Sequence, residues 1–137
     1  MNKFNGLYDI RDAKEGDENF VLSTFLRGIY YGDSWFSQIP KDIFMSNYKI
    51  VAETLVKRGN VKVACLKDDP DTIIGYSILS PDYQTIHFVY VKKLWRNHGV
   101  ARSLLPQFPT TVTHLTALGK ELVTKFNNVI FNPFKLN

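Results

Sequence analysis

Residues 87–105 of this chain read HFVYVKKLWRNHGVARSLL, and the hydrophobic period changes part-way along. Up to residue 92, β-branched and aromatic residues alternate in the manner of a half-buried β-strand. From Gly99 onward, Val100 and Leu104 recur at helical spacing. The stretch therefore predicts a strand, a basic loop and a helix that begins at a glycine. The predicted strand faces are Ile86, Phe88 and Tyr90 on one side and His87, Val89 and Val91 on the other.

The basic loop between strand and helix is a predicted anion site. A loop that opens a helix presents unpaired backbone N–H groups at the positive end of the helix dipole, and phosphate is the usual anion there. Arg96, His98 and Arg102 add positive charge around the loop. We therefore expect a phosphorylated cofactor as the ligand. An ordinary strand-to-helix turn with a capping glycine is the alternative interpretation.

The composition indicates one ordinary globular domain. The 137 residues are 45% apolar and 22% charged, with no apolar run of membrane-spanning length and no signal-peptide pattern at the start. Cys65, the one cysteine, lies in a strand-like run, which favours core packing in a reducing cytoplasm. The histidines and this cysteine lack compact ligand spacing, so we expect no metal site. The predicted location is cytoplasmic, with no membrane partner.

Charge is unevenly distributed along the chain. Residues 1–82 contain ten Lys/Arg and twelve Asp/Glu, whereas residues 83–137 contain seven Lys/Arg and only Glu121. Such asymmetry indicates an anionic partner. A phosphorylated cofactor would suffice, and nucleic acid is the competing partner because a basic face is also its electrostatic footprint. No helix-turn-helix, zinc-finger or RNP signature supports nucleic acid.

Periodicity, glycines and prolines predict the remaining elements. Asp17 or Asn19 is the expected cap of a first helix that ends near Tyr31, and Pro106 and Pro109 end the third. The predicted order is β-α-α-β-β-β-α-β-α-β, an α/β class with a mixed (α+β) sheet. The predicted strands span residues 6–13, 61–67, 72–79, 85–92, 111–115 and 129–131, and the later helices span 42–58, 99–107 and 117–126.

The spacing Arg96-x-x-Gly99-x-Ala101, directly after the strand end Val89-Tyr90-Val91, resembles the acetyl-CoA signature of the GCN5-related N-acetyltransferase (GNAT) family. That pattern is Gln or Arg, two residues, Gly, one residue, then Gly or Ala. The element order is also the family's, shortened by the last strand at the C-terminus. The tail, residues 112–116 and 131–134, looks similar to small phage-encoded members. The resemblance implies a single GNAT-like acyl-CoA N-acyltransferase domain over residues 1–137.

The resemblance also implies that acetyl-CoA binds along the motif. The backbones of Val89 and Val91 would pair with the pantetheine arm, in the gap where the motif strand and the next strand part. The amides from Arg96 through Ala101 would hold the pyrophosphate, and Thr116 would touch the cofactor. The implied cofactor-binding set is Val89, Val91, Arg96, Asn97, His98, Gly99, Val100, Ala101, Arg102 and Thr116.

The implied reaction is acetyl transfer to an amine by direct attack on the thioester, which requires the amine to lose a proton. Many family members carry Glu where this chain has Thr85, which cannot act as a base. His87, two residues on, is the candidate base, since the arylalkylamine acetyltransferases look similar there with His at the matching place. A hydrogen-bonded histidine on a half-buried strand is the alternative.

The family's tyrosine acid is also replaced, because Val123 occupies its position. Tyr76 and His114 are candidate acids in its place. Tyr90 is a third, although strand alternation predicts that it points away from His87. If none of these side chains donates a proton, either the thiolate leaves unassisted or catalysis has been lost.

The sequence leaves the acceptor and the partners open. Residues 30–36 are dense in aromatics and are a candidate acceptor pocket in which Asp33 would attract an amine, with helix-end packing as the alternative. A catalytically weak or inactive binding protein of this fold, phage-type and engaging a host protein or nucleic acid, is the alternative function. A second copy of the chain could close the edge left by the absent last strand, which would give a homodimer.

Overall fold

The computed structural model describes residues 6–136, which form a mixed sheet with helices on both faces, in the predicted order of elements. The strands are β1 (Tyr8–Asp12), β2 (Asn60–Leu66), β3 (Ile73–Leu79), β4 (Thr85–Val91), β5 (Thr111–Val112) and β6 (Ile130–Phe131). The α-helices are α1 (Glu18–Gly32), α2 (Lys41–Arg58), α3 (Val100–Leu104) and α4 (Ala117–Lys125). Two 3-10 turns, Phe36–Gln38 and Lys93–Trp95, were not predicted.

The strands lie in the sheet in chain order. β1 to β4 are antiparallel neighbours, whereas β4 and β5, and β5 and β6, pair in parallel. A parallel pair needs a crossover connection. α3 supplies it between β4 and β5, and α4 supplies it between β5 and β6.

The sheet separates two apolar cores. On one face, α1 and α2 pack on the central strands, with Phe25 and Ile29 fully buried and Cys65 also buried. On the other face, Val100 and Leu104 of α3 and Leu122 of α4 close smaller clusters. The predicted core role of Cys65 is confirmed.

β4 contains a β-bulge that the sequence pattern did not predict. Phe88 pairs with Ile78 of β3 and Ile86 pairs with Leu79, so His87 is an extra residue in the ladder. The prediction of one face for Ile86, Phe88 and Tyr90 is therefore wrong. Ile86 packs on the α4 side, whereas Phe88 and Tyr90 pack on the α1 side.

One helix cap and one strand boundary differ from the predictions. The Asp17 carboxylate does not cap α1; it accepts hydrogen bonds from the Lys14 amide (2.8 Å) and the Arg11 guanidinium (2.7 Å) instead. β5 ends at Val112 rather than residue 115, because β4 and β5 separate at that point. This separation creates the site described next.

Candidate functional site

β4 and β5 stay together over only two residue pairs, Thr85 with Thr111 and Ile86 with Val112. The Thr113 amide still donates to the Ile86 carbonyl, at 3.2 Å. Beyond that bond β4 continues to Val91 while β5 has ended, so the strands part and leave a gap between them.

The backbone of β4 faces this gap at alternate residues. The Lys92 amide donates to the Ile74 carbonyl on β3, at 2.8 Å. Because successive residues of a strand turn their backbone groups to opposite edges, those of Val89 and Val91 face the gap. The Arg96 Nε–H donates to the Val91 carbonyl, at 2.9 Å, and so ties the basic loop to the end of β4. With the Val91 carbonyl bonded to Arg96, the groups of β4 that face the gap are the Val91 amide and the amide and carbonyl of Val89.

The gap widens into a cleft of about 800 Å³, called here the β4–β5 cleft. Its walls come from α1, β4, the basic loop and the start of α4. Three of the predicted cofactor-binding residues lie outside its lining: Val100 is buried in the core, Arg102 is exposed and His98 is partly buried. The predicted residues that line it are Val89, Val91, Arg96, Asn97, Gly99, Ala101 and Thr116.

The wall formed by α1 was not predicted. Thr24, Arg27, Gly28 and Gly32 all line the cleft. Two glycines one helical turn apart let a neighbouring element approach a helix closely, and a Cβ at Gly28 would lie 2.3 Å from the Phe88 ring. This glycine spacing is the sequence signal that could have indicated the wall.

The basic loop holds two residues in left-handed backbone conformations. Gly99 has a φ of 84° and Asn97 a φ of 66°. Glycine adopts this conformation without a steric cost, and Asn tolerates it better than most residues. Gly99 directly precedes α3, and its carbonyl accepts hydrogen bonds from the Ser103 amide (3.1 Å) and hydroxyl (3.0 Å). The backbone therefore turns sharply where the predicted anion site lies.

The candidate base His87 and the candidate acid His114 lie close together where β4 and β5 are still hydrogen-bonded, which is called here the closed end of the cleft. They are 2% and 4% exposed, and neither lines the cleft. The Thr113 hydroxyl oxygen lies 3.0 Å from Nδ1 of His87 and 2.8 Å from Nδ1 of His114. Nδ1 of His114 is also 2.9 Å from the His87 carbonyl, and its Nε2 is hydrogen-bonded to the Tyr48 hydroxyl.

This burial disfavours a charged imidazole. It lowers the pKa of His87 to about 4, with the nearby His114 adding to the effect. It also lowers the pKa of His114 to about 4, although the bond to the His87 carbonyl opposes the shift. Both rings are therefore neutral at pH 7, and the predicted base role of His87 finds no support in this geometry.

The candidate acids differ in their access to the cleft. Tyr76 is fully buried, its hydroxyl lies 2.6 Å from that of Thr24, and burial raises its pKa well above the usual range. Like His114, it does not line the cleft. Tyr90, the third candidate acid, does line the cleft.

The lining of the cleft does not include Thr85, Val123, Asp33 or Trp35. Thr85 is fully buried, and its hydroxyl oxygen has no hydrogen-bond partner within residues 6–136. Val123 packs against the α4-side core. Asp33 is buried, and its carboxylate accepts from the Trp35 (2.9 Å) and Phe36 amides, so the predicted amine-attracting residue serves the turn after α1. Trp35 itself is 67% exposed.

Several solved structures of proteins named as acetyltransferases have a similar fold. A protein from Pyrococcus furiosus whose name assigns it to the acetyl transferases superposes with a TM-score of 0.54 at 19% identity, over 90% of this chain and 79% of that one. A histone acetyltransferase HPA2 and related acetyltransferase from Corynebacterium glutamicum gives 0.51 at 15% identity, over 90% and 75%. A GCN5-related N-acetyltransferase from Rhodopseudomonas palustris gives 0.51 at 14% identity, over 72% and 61%.

The chain has the GNAT fold. No protein-family model and no curated protein matches its sequence, so the likeness lies in the structure. Within residues 6–136, no group of three His, Cys, Asp or Glu side chains is arranged to hold a metal ion. No helix of that same range is both long and apolar enough to cross a membrane.

Proposed function

We propose that this protein binds acetyl-CoA in the β4–β5 cleft and transfers the acetyl group to an amine. The observation that carries the proposal is the cleft itself, which starts where β4 and β5 part and extends to the left-handed turn at Gly99. Along its length it presents a strand edge with polar backbone groups turned toward it and then a basic loop. An amide-containing arm that ends in phosphates matches that sequence of groups.

The residues present fit such a ligand. The backbone of Val89 and the amide of Val91 would pair with the amides of the arm, in place of the strand–strand bonds that the gap removes. The loop from Arg96 through Ala101 would hold the phosphates with backbone N–H groups. Arg96 and Arg27 add positive charge at the walls, and Glu121 is the acidic residue among the lining. Bound acetyl-CoA would supply an activated acetyl group as a thioester.

The chain's own contribution to the chemistry is positioning rather than general base catalysis. Holding the thioester against an amine in one geometry supplies much of the rate advantage of a two-substrate reaction. His87 and His114 are buried and neutral, and Thr85 cannot accept a proton. We infer that the amine reacts in its neutral form after losing its proton to water. Tyr90, which lines the cleft, is the proposed donor to the departing thiolate.

Thermal unfolding with and without acetyl-CoA tests cofactor binding. At about 100 times its dissociation constant, acetyl-CoA should stabilise the folded protein by about 2.7 kcal/mol. Dephospho-CoA, which differs from CoA only in lacking the 3′-phosphate, should stabilise it less than CoA does if the protein contacts that phosphate. A melting temperature that does not change with acetyl-CoA would contradict the proposal.

A matched pair of glycine variants localises the binding. Gly99→Glu should abolish the stabilisation by acetyl-CoA because it places bulk and negative charge in the phosphate-binding loop. Gly16→Glu is the control: Gly16 also has a left-handed φ, of 100°, but lies in the turn before α1 and does not line the cleft. Equal loss of acetyl-CoA binding in the two variants would show that backbone strain, not the phosphate loop, is responsible.

A binding protein of the same fold is the second candidate function. The observation in its favour is the absence of a base or acid at the positions of Thr85 and Val123. Such a protein would engage a host protein or nucleic acid through the basic half of the chain. Binding of DNA or RNA that weakens steeply with salt, together with no stabilisation by acetyl-CoA, would favour this alternative.

A further inference from the structure

A chain of buried polar groups crosses the molecule at the closed end of the β4–β5 cleft. It begins at Tyr48 on α2, continues through His114 and Thr113, which follow β5, and ends at His87 in the bulge of β4. Thr113 and both histidines are almost completely buried. Because the chain joins α2, β5 and β4 where the two strands part, it lies at the structural origin of the cleft.

The hydrogen-bond geometry determines where His114 carries its proton. Nδ1 of His114 lies 2.9 Å from the His87 carbonyl oxygen, which can only accept a hydrogen bond. Nδ1 therefore bears the proton and donates it. Nε2 then carries no proton and accepts a hydrogen bond from the Tyr48 hydroxyl. Burial raises the pKa of Tyr48, with the nearby Asp33 carboxylate adding to the effect, so the hydroxyl keeps its proton.

Thr113 links the two imidazole rings. Its hydroxyl oxygen can share the proton on Nδ1 of His114, at 2.8 Å. Its own proton can then be donated to Nδ1 of His87, at 3.0 Å, which leaves His87 protonated on Nε2. The geometry thus gives the two neutral histidines opposite tautomers.

The bond from His114 acts as one more rung between the diverging strands. The Thr113 amide bonds to the Ile86 carbonyl, and the His114 side chain then bonds to the next carbonyl, that of His87. The rung fixes the β4 backbone two residues before Val89, whose polar groups face the cleft. Beyond it β4 pairs only with β3 among the described strands.

We propose that Tyr48 is a positioning residue, which fixes the His114 tautomer and thereby the backbone of β4 at the closed end of the cleft. This inference rests on the proposed function, because it is the thioester end of acetyl-CoA that would lie nearest to this backbone, with the phosphates at the Gly99 loop. Tyr48 would touch neither substrate.

Two tyrosines in the same aromatic cluster give a matched pair of variants. Tyr48→Phe removes the hydroxyl but keeps the ring, which stacks on Phe44 with centroids 5.1 Å apart. Tyr30→Phe is the control: its ring also lies 5.1 Å from that of Phe44, and its hydroxyl donates to the Ile39 carbonyl (2.6 Å) instead of a histidine. Both variants lose one hydroxyl next to Phe44, and only one of them loses a partner of His114.

The first measurement is the tautomer of each histidine, from long-range ¹H–¹⁵N correlation spectra at neutral pH. In the wild-type protein we expect the proton of His114 on Nδ1 and that of His87 on Nε2. In Tyr48→Phe the His114 signals should shift toward a mixture of tautomers, and in Tyr30→Phe they should not. A wild-type protein in which His114 is protonated on Nε2 overturns the inference. This outcome can be seen in the wild-type protein alone, whether or not the variants fold.

The second measurement is calorimetric binding of two probes, acetyl-CoA and adenosine 3′,5′-bisphosphate, which lacks the pantetheine arm. Tyr48→Phe should weaken acetyl-CoA about fivefold, the effect of one net hydrogen bond, and leave the bisphosphate unchanged. Equal weakening in Tyr48→Phe and Tyr30→Phe overturns the positioning role. If the tautomers are as expected but the wild-type protein binds neither probe, the proposed function and the positioning role both fail, while the rung between the strands stands.

Discussion

The buried histidine pair predicts a loss of stability in mild acid. Burial lowers the pKa of both His87 and His114 to about 4, whereas an exposed histidine in the unfolded chain titrates near 6.5. The unfolded state therefore binds more protons than the folded state between pH 6.5 and 4. Since stability rises with pH wherever the unfolded state binds more protons, the contribution is fully present above pH 6.5 and is lost as the pH falls toward 4.

The size of the effect follows from the pKa difference. From pH 7 to pH 5, each histidine should reduce the free energy of unfolding by about 2 kcal/mol. The reason is that pH 5 lies about 1.5 units below the pKa of the unfolded chain, and each unit is worth about 1.4 kcal/mol. The two together give about 4 kcal/mol, a limit set by the protons that the unfolded chain takes up, because the folded protein binds almost none at pH 5. That is a large part of the ~5–15 kcal/mol by which domains are stable.

Urea unfolding at pH 7, 6 and 5 and constant ionic strength, followed by tryptophan fluorescence, measures this loss. The double variant His87→Gln/His114→Gln is the reference, because it keeps polar side chains at these two positions but neither of them can be protonated in this pH range. The wild-type protein should lose about 4 kcal/mol more than the variant over this range. Parallel decreases in the two proteins would refute the assignment of buried, neutral histidines.

Three substitutions test other parts of the structure. Arg96→Ala removes the bond to the Val91 carbonyl together with a positive charge at the cleft, and should weaken acetyl-CoA about tenfold by calorimetry; unchanged affinity would remove the loop from the site. Gly28→Ala places a Cβ 2.3 Å from the Phe88 ring and should lower the free energy of unfolding by about 1–3 kcal/mol in urea, whereas equal stability would show that this ring moves freely. Thr85→Val removes a buried hydroxyl without a partner in the described chain and should raise the free energy of unfolding by about 1 kcal/mol; a decrease would reveal a partner for that hydroxyl.

The order of elements could be predicted from the sequence because each element carries its own local signal. The alternation of β4, the change to helical period after Gly99 and the prolines after α3 all act over a few residues. The β4–β5 gap was implied by the family resemblance, and seven of the residues that this resemblance named line the cleft. Local signals were sufficient for the order of elements, whereas the gap and its lining required the resemblance.

Features that depend on distant residues could not be predicted in this way. The bulge at His87 is set by how β4 pairs with β3, and nothing in the alternation of β4 itself indicates an extra residue. Tyr48 and His114 are 66 residues apart in the chain, so their contact exists only in the folded protein. The role of Asp33 was missed for a simpler reason: a carboxylate that starts a turn by accepting backbone N–H bonds looks the same in sequence as one that awaits a ligand.

The arrangement of polar groups has a consequence for how catalysis should depend on pH. A general base with a pKa near 6.5 would make the rate level off above neutral pH. Here His87 and His114 have pKa values of about 4, and Thr85 does not titrate, so none of these three groups gains or loses a proton between about pH 6 and 9. The rate of acetyl transfer should instead keep rising with the fraction of neutral amine, and the midpoint of the profile should move when the acceptor is replaced by an amine of different pKa. If the chain acts as proposed, without the usual carboxylate, its rate would depend mainly on how firmly the β4 backbone and the Gly99 loop are held. The bond from His114 to β4 and its partner Tyr48 would then matter more than a general base.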